Sequence, residues 1–484
     1  MLLSELFKGA PDVEISQISS DSRMPMKNAL FFCIKGIRDD GHQFIRNAIE
    51  NGAKAIVYED NEIKPIYNAI YIKVNNVLDV FNQIADKFYG HQSDKIDCFV
   101  VSGTNGRSSI AYLIYQLLLN LQKPSYVGRF GVRFSGTVLM TPAPTMTILE
   151  NQRYLQQIIN ASCDACVFEG TPESFYYKKL NAIKPKVFVY SSTSKSSADY
   201  KELGNDYFDT YYKYLYQLPN STSIILNHDD ESFEELAPIA HHYLSYGIDK
   251  SCDYQISDLN LNQNSSTFAI HHQGAVKLLT TKLLGLNNVY NLTAAIAAVS
   301  EYGYDLDDII KAAKNLSQIP GVMETVPFKG KEAVIIDCAC QSDSILDIKE
   351  FVANIKKPGS STISIYGVNN TDDPSKLNEH LDILAKMSDL IILTEDRSGD
   401  NDINTILDNA SKLIKDCEYL LIENREVAIE VAIDNMQSND IVLILGKGNE
   451  KFLIRSFNRE YYDGDKELAL KAIKRRMEEE NEAS

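Results

Sequence analysis

No apolar run in this 484-residue chain approaches the ~18 residues that a membrane helix needs; stretches such as Ile441–Leu445 have the length of a core strand. An excess of positive charge is missing too. Forty-eight Lys and Arg against 66 Asp and Glu leave a formal charge of −18, so no broad basic face is expected to displace counterions from a nucleic acid. A single small anionic ligand in a locally basic pocket is not excluded. The first residues, Met1-Leu-Leu-Ser-Glu-Leu-Phe7, lack a basic segment and a long apolar one, which argues against a secretory signal and for a cytoplasmic protein. Cysteine is sparse: eight in a chain this long do not make a disulfide scaffold. The close pairs Cys163/Cys166 and Cys338/Cys340 sit in apolar runs without a second pair at zinc-ligand spacing, and buried free thiols are expected. Internal repeats and low-complexity segments are absent.

What is present is alternation. Short β-like runs (Ala29–Ile34, Ala55–Tyr58, Ala69–Val74) interleave with helical stretches (Phe44–Asn51, Val77–Phe88) before a polar break at His91–Lys95. The pattern resumes with Ala165–Phe168, Val187–Tyr190 and Ser223–Leu226 as strands, and Tyr207–Gln217 and Asn291–Tyr302 as helices. A two-residue period over Tyr254–His271 predicts an antiparallel insertion. Ala333–Asp337, Thr362–Tyr366, Leu390–Thr394 and Ile441–Leu445 continue the alternation to the end. Length and pattern together predict three α/β domains with parallel sheets, at 1–92, 93–326 and 327–484. Ligands are then expected at the carboxyl ends of the strands.

One segment carries chemistry by itself. Ile96–Ser102 is an apolar run, Gly103-Thr-Asn-Gly106 a glycine-rich turn, and Ile110, Leu113, Ile114, Leu117, Leu118 and Leu121 mark one face of a helix. Strand, turn and helix N-terminus aim backbone N–H groups at an anion. Such loops carry lysine where this chain has Arg107, a planar fork in place of a compact point charge. Ser108 or Ser109 supplies a hydroxyl for a metal ion, or caps the helix.

Further motifs share the order and spacing of one family. Ser20-Asp-Ser-Arg23, Leu30-Phe-Phe-Cys-Ile-Lys-Gly36, Asp40-Gly-His-Gln-Phe-Ile45 and Ala53-Lys-Ala-Ile-Val57 precede the loop; Leu284-Gly-Leu-Asn-Asn-Val289 with Asn291, and Gly446-Lys-Gly-Asn-Glu450, follow it. Over its whole length the chain resembles the Mur ligases, nearest the type that adds the third residue to the UDP-N-acetylmuramoyl peptide. The resemblance implies a UDP-substrate-binding α/β domain, a central P-loop ATPase-like domain with a parallel sheet, and a C-terminal Rossmann-like domain that binds the amino acid. It also implies ATP-driven amide synthesis through an acyl phosphate, with Mg²⁺, on a UDP-MurNAc-dipeptide-like substrate.

Residue by residue, the resemblance assigns Gly103, Thr104, Asn105, Gly106, Arg107, Ser108, Ser109 and Asn288 to ATP, and Ser108 and Glu169 to the metal. A buried Asn closing a turn is the plainer alternative for Asn288. Ser22, Gly41, His42, Thr141, Thr171 and Lys179 fall to the UDP substrate, and Asp396, Asp400, Gly446 and Glu450 to the amino acid. The acidic run Thr394–Asp402 suits a cationic amino acid such as lysine or ornithine, or is an exposed loop of an acidic protein.

Against the family pattern stand several departures besides Arg107. Ser196-Ser-Ala-Asp-Tyr-Lys201 lacks the usual Asp-His, Val322 replaces an arginine, Asp337-Cys-Ala-Cys340 lacks a histidine, and Asp372 stands for an arginine. The family's carbamylated lysine falls on Tyr212, with Lys213 the one nearby candidate, about 100° further round the helix. The expectation is therefore divided. Either Arg107, Glu169 and Lys213 support ligation of a basic amino acid, or an impaired paralogue binds its ligands and acts through a protein partner. A relative acting on folyl or cyanophycin-type substrates is a more distant third reading, against which the N-terminal motifs count.

Overall fold

The computed structural model describes residues 1–484 except 37–38, 66–67, 142, 144, 330, 370–373, 400, 456–457 and 484. Among the described residues the strands form three sheets. In the first, Gln17–Ser19, Ala29–Phe32, Ala53–Tyr58 and Ile70–Lys73 lie side by side in chain order, all parallel. Leu30 and Phe32 pack with Val77, Phe81 and Ile84 on one face. Ala29 and Phe31 pack with Ile45 and Ala48 on the other. Successive side chains of a strand point to opposite faces, so burial of both faces explains the unbroken apolar run.

The second sheet has eleven strands. At its centre Asp97–Ser102 runs parallel to Ala165–Glu169 on one side and Pro185–Tyr190 on the other. Pro124–Gly128, Ser223–Asn227 and Tyr243–Gly247 extend it in the same sense. Antiparallel hairpins finish both edges, one of them built from Tyr254–Leu261, Ser266–His272 and Ala275–Thr281. The predicted antiparallel insertion is therefore present and runs ten residues further than the sequence pattern suggested, to Thr281 rather than His271. The helix Arg107–Leu119 lies on this sheet, with Ile110, Leu113, Ile114, Leu117 and Leu118 completely buried.

In the third sheet Lys331–Asp337, Ile441–Leu445, Thr362–Asn369 and Leu390–Gly399 are parallel neighbours. Glu324–Phe328 and the pair Phe452–Arg455 and Asn458–Tyr461 add antiparallel pairings. Fully buried Arg425 at the start of the helix Arg425–Asn435 is clamped by Asp465, equally buried, at 2.8 Å. This pair ties that helix to Asp465–Ala483. No described helix is long and apolar enough to cross a membrane. The α/β architecture with parallel sheets is as expected, and the order of the central strands sets Gly103, Gly170 and Ser191 at neighbouring strand ends.

Candidate active site

The glycine-rich loop owes its shape to two close approaches. Gly103 and Gly106 have φ of +119° and +81°, a region where L side chains are strained. A Cβ on Gly103 would stand 2.1 Å from Ser191 Oγ, and one on Gly106 2.5 Å from Asn291 Oδ1. Ser192 O receives the Thr104 N–H at 2.8 Å. Gly106 then opens the 13-residue helix with no side-chain cap. Uncapped helix starts of this kind are places where anions bind.

Arg107 does not extend from this loop; it folds back. Its Nη1 donates to Gly103 O at 2.8 Å and to Thr104 O at 3.3 Å. Its Nε donates to Glu169 Oε1 at 3.2 Å, and Asp199 lies 3.5 Å from Nη1. Ser108 Oγ donates to the same Glu169 oxygen at 2.6 Å. The second oxygen accepts from Arg129 N at 2.8 Å and Tyr126 OH at 3.3 Å. Glu169 is 2% exposed and its carboxylate holds four donors, about as many as two oxygens accept. Magnesium takes a carboxylate oxygen at ~2.0–2.1 Å in an octahedral shell, and both acceptor positions of Oε1 are already filled by Arg107 and Ser108. The guanidinium and the Ser108 hydroxyl occupy that approach, so Ser108 and Glu169 as arranged do not fit the ion assigned to them.

Lys213 is not brought to the loop. It is 69% exposed and pairs with Asp209 at 3.4 Å on the outer side of the helix Asp206–Gln217. Tyr212, on which the family's lysine position falls, does not reach the loop either. Tyr212 hydroxyl bonds Glu235 at 2.6 Å, while Tyr211, fully buried, bonds Ser102 Oγ at 2.9 Å beneath the loop. One residue of rotation separates the two, and the side chain with the larger apolar neighbourhood (Phe175, Tyr190, Tyr207) won the inner place.

Asn288 and Asn291 lie on one helix, Leu286–Tyr302. Asn288 is 2% exposed; it donates to Leu284 O at 2.9 Å and accepts weakly from Asn291. Asn291 is the one that reaches the loop, against Gly106. Ser109, 4% exposed, lies in the helix core.

The residues assigned to the UDP substrate are scattered in role. Both His42 ring nitrogens are engaged, Nδ1 with Asp40 at 2.6 Å and Nε2 with the Glu59 N–H at 3.2 Å. Gly41 lies so close to Ile34 that a Cβ would meet its N at 2.7 Å. Ser22 is buried, its carbonyl receiving Asn51 Nδ2 at 2.7 Å. Thr141 Oγ1 donates to Ala143 O at 3.0 Å. Thr171 caps the helix Pro172–Tyr176 next to Glu169, and Lys179 pairs with Glu173 at 2.9 Å.

On the third sheet, Lys447 is fully buried between Asp396 at 2.7 Å and Glu450 at 3.5 Å, near the Phe452 ring. Arg397 pairs with Glu450 at 3.1 Å, and Arg455 with Glu395. The acidic residues are thus met by cations of the same sheet. Of the acidic run, Glu395 and Asp396 are each paired with a cation, and Asp402 caps the helix Ile403–Ser411. Asp400 and Asp372 lie outside the described residues. Gly446 donates its N–H to Asp337 O at 3.0 Å. Asp337, 6% exposed, has its carboxyl pushed up to about 6 by burial.

The second and third sheets meet here. Arg129 Nη1 approaches Cys338 Sγ at 3.6 Å, Ser194 Oγ donates to Asp343 at 2.6 Å, and Asn287 bonds Asp347. Gly321 packs against Gly448 and Asn449 backbone, where a Cβ would come within 2.2 Å of Asn449 N. Cys163 and Cys166 are buried free thiols as expected, but Cys340 is exposed. It lies beyond the strand end at Asp337, where the chain has left the sheet. Arg129, Tyr126 and Tyr211 are the members that local pattern did not single out, whereas Asn291 was named with the motif at Leu284–Val289 but not assigned to the site.

Comparison with known proteins shows the family. Residues 14–89 match the Mur ligase family catalytic domain, 101–299 the Mur ligase middle domain, and 323–448 the Mur ligase glutamate ligase domain. A UDP-N-acetylmuramoyl-L-alanyl-D-glutamate--2,6-diaminopimelate ligase of Clostridioides difficile is 28% identical over 477 residues, 96% of each chain. UDP-N-acetylmuramyl-tripeptide synthetase 2 of Oceanobacillus iheyensis is 29% identical over 94% of each. A solved 2,6-diaminopimelate ligase structure superposes with TM-score 0.71 over 99% of both chains at 22% identity. The MurF ligase of Thermotoga maritima, solved with ADP, gives 0.62 over 96% of this chain and 98% of that one at 16% identity. With three successive Mur ligase domains matched in order along it, the chain belongs to the Mur ligase family.

Proposed function

We propose that this protein acts in peptidoglycan precursor synthesis as an ATP-dependent ligase, joining an amino acid to UDP-N-acetylmuramoyl-L-alanyl-D-glutamate in the cytoplasm. The substrate carboxylate would be phosphorylated and the amine of the incoming amino acid would displace the phosphate. Relatives matched from end to end are named as 2,6-diaminopimelate ligases, and that amino acid, lysine and ornithine are the candidates. The observation that carries this reading is the loop at 103–106. It combines a helix start without a cap, two glycines with no room for a Cβ, and Asn291 behind them. In this reading the loop N–H groups hold the nucleotide phosphates, and Thr171 and Lys179 face the acyl substrate. Lys447 and Glu450 stand at the amino-acid side, and the domains divide near residues 92 and 326.

A second reading rests on a specific observation. Arg107 occupies Glu169, and Tyr211 fills the inner face of the helix that carries Lys213 outward. A chain so arranged binds nucleotide and UDP substrate with little turnover and acts through a partner protein. Phosphoryl transfer depends on positioned cations, so these two side chains decide between the readings.

The test incubates purified protein with ATP, Mg²⁺, the UDP-muramoyl dipeptide and each candidate amino acid, and follows phosphate release. Turnover of ~1 s⁻¹ or more supports ligation, since enzymes commonly run at ~1–10³ s⁻¹. Absence of phosphate release, with ADP still raising the melting temperature, supports the second reading.

A further inference from the structure

Glu169 lies at the end of a central strand, fully enclosed, and every acceptor position on it is in use. Two of its donors, Arg107 and Ser108, come from the first turn of the helix that follows the glycine loop. The same Arg107 bonds two loop carbonyls and stands near Asp199. A guanidinium with several N–H donors in one plane can serve a carboxylate and a phosphate at once. Its charge is permanent and its position is set by four contacts within the protein.

We propose that Arg107 is a built-in counter-cation for Glu169, and that the loop takes the phosphates of a nucleotide without a divalent metal. This rests on the nucleotide-binding part of the function proposed above, and holds whether or not ligation follows. A divalent ion would have to displace both the Arg107 Nε–H and the Ser108 hydroxyl from Oε1, leaving a half-buried guanidinium facing the metal. Repulsion between two cations beside one buried carboxylate opposes that exchange.

The experiment measures ADP binding to the full-length protein by calorimetry, in EDTA and in excess Mg²⁺. The expected result is a dissociation constant that changes less than about threefold, under 0.7 kcal/mol. Tightening by Mg²⁺ of about tenfold or more overturns the inference and leaves the nucleotide reading intact. Failure of ADP to bind in either buffer overturns the nucleotide reading, and the inference with it. Arg107→Lys releases Glu169, and its ADP affinity is expected to become Mg²⁺-dependent by about tenfold. A variant as indifferent to Mg²⁺ as the parent overturns the role given to Arg107. Should that variant not fold, Glu169→Gln serves: ADP in EDTA is expected to bind several-fold more tightly, because Arg107 is freed toward the phosphates. Unchanged or weaker binding overturns the proposal. Mn²⁺ titration followed by electron paramagnetic resonance is the direct check, with stoichiometric Mn²⁺ on the parent protein as the overturning result.

Discussion

Arg107 and Tyr211 are two residues whose neighbours, rather than their types, define the site. Both take hydrogen bonds under or beside the loop: Arg107 with Gly103 O and Glu169, Tyr211 with Ser102 Oγ at 2.9 Å. Replacing Tyr211 by Phe keeps the ring packing and removes that bond. The expected loss is about 1 kcal/mol of stability in urea unfolding, with the loop conformation retained. Asp337 offers a pH test at the same scale. Burial raises its pKa from 3.8 to about 6, although N–H groups of Met323 and Ala339 oppose the shift. An acid whose folded pKa is raised holds its proton more tightly in the folded state than in the unfolded chain. Its contribution is therefore most favourable below about pH 4 and is lost as pH rises to about 6. Above that it leaves a constant penalty, on the order of 1–3 kcal/mol. Asp337→Asn removes the titration while keeping a carbonyl for the Met323 N–H. The variant is expected to gain on the parent between pH 4 and pH 7 by that amount, measured as unfolding free energy at the two pH values.

Elements hold their places through a few buried pairs set into larger apolar contacts. Arg425 and Asp465 are both fully buried and joined by two bonds of 2.8 Å, one from Nε and one from Nη2. Removing only the cation strands a buried carboxylate, which commonly costs ~3–5 kcal/mol. Arg425→Met is expected to destabilise the protein by about that much in urea unfolding. The double change Arg425→Met with Asp465→Leu is expected to recover most of the loss, because no unpaired charge remains. The helix pattern at 110–121 was legible for a related reason: its residues are buried against the sheet at helical spacing, so the period is written in the sequence. Tyr254–His271 was legible as alternation because one face of that hairpin meets the core and the other meets water; the third strand, Ala275–Thr281, was not. The inward register of Asp206–Gln217 was not legible. Tyr207, Tyr211 and Tyr214 share one face at i, i+4 and i+7 and are the buried ones, while Tyr212 lies one residue of rotation away from Tyr211.

At the scale of the whole molecule, the second and third sheets are joined by polar contacts at the site itself: Ser194 to Asp343, Arg129 to Cys338 and Asn287 to Asp347. Polar junctions of this kind are compatible with domain motion. Asp343→Ala removes the 2.6 Å Ser194 contact. The expected outcome is a more open average arrangement, read as a larger radius of gyration in small-angle scattering, with melting little changed. An unchanged scattering profile would show that the other contacts suffice.

The amino-acid sequence by itself determined the alternation of strand and helix, the glycine loop and the order of motifs that names the family. Those depend on backbone conformation and on periods of two or 3.6 residues, which neighbours along the chain set. Which side chains meet was decided by tertiary structure alone. Arg107 and Glu169 are 62 residues apart, and Arg129 and Cys338 209 apart. They come together because Asp97–Ser102 and Ala165–Glu169 are adjacent strands and the third sheet packs over their ends. The sequence named Arg107 as a departure from lysine. Only the fold showed that its charge is turned inward onto the carboxylate expected to hold a metal.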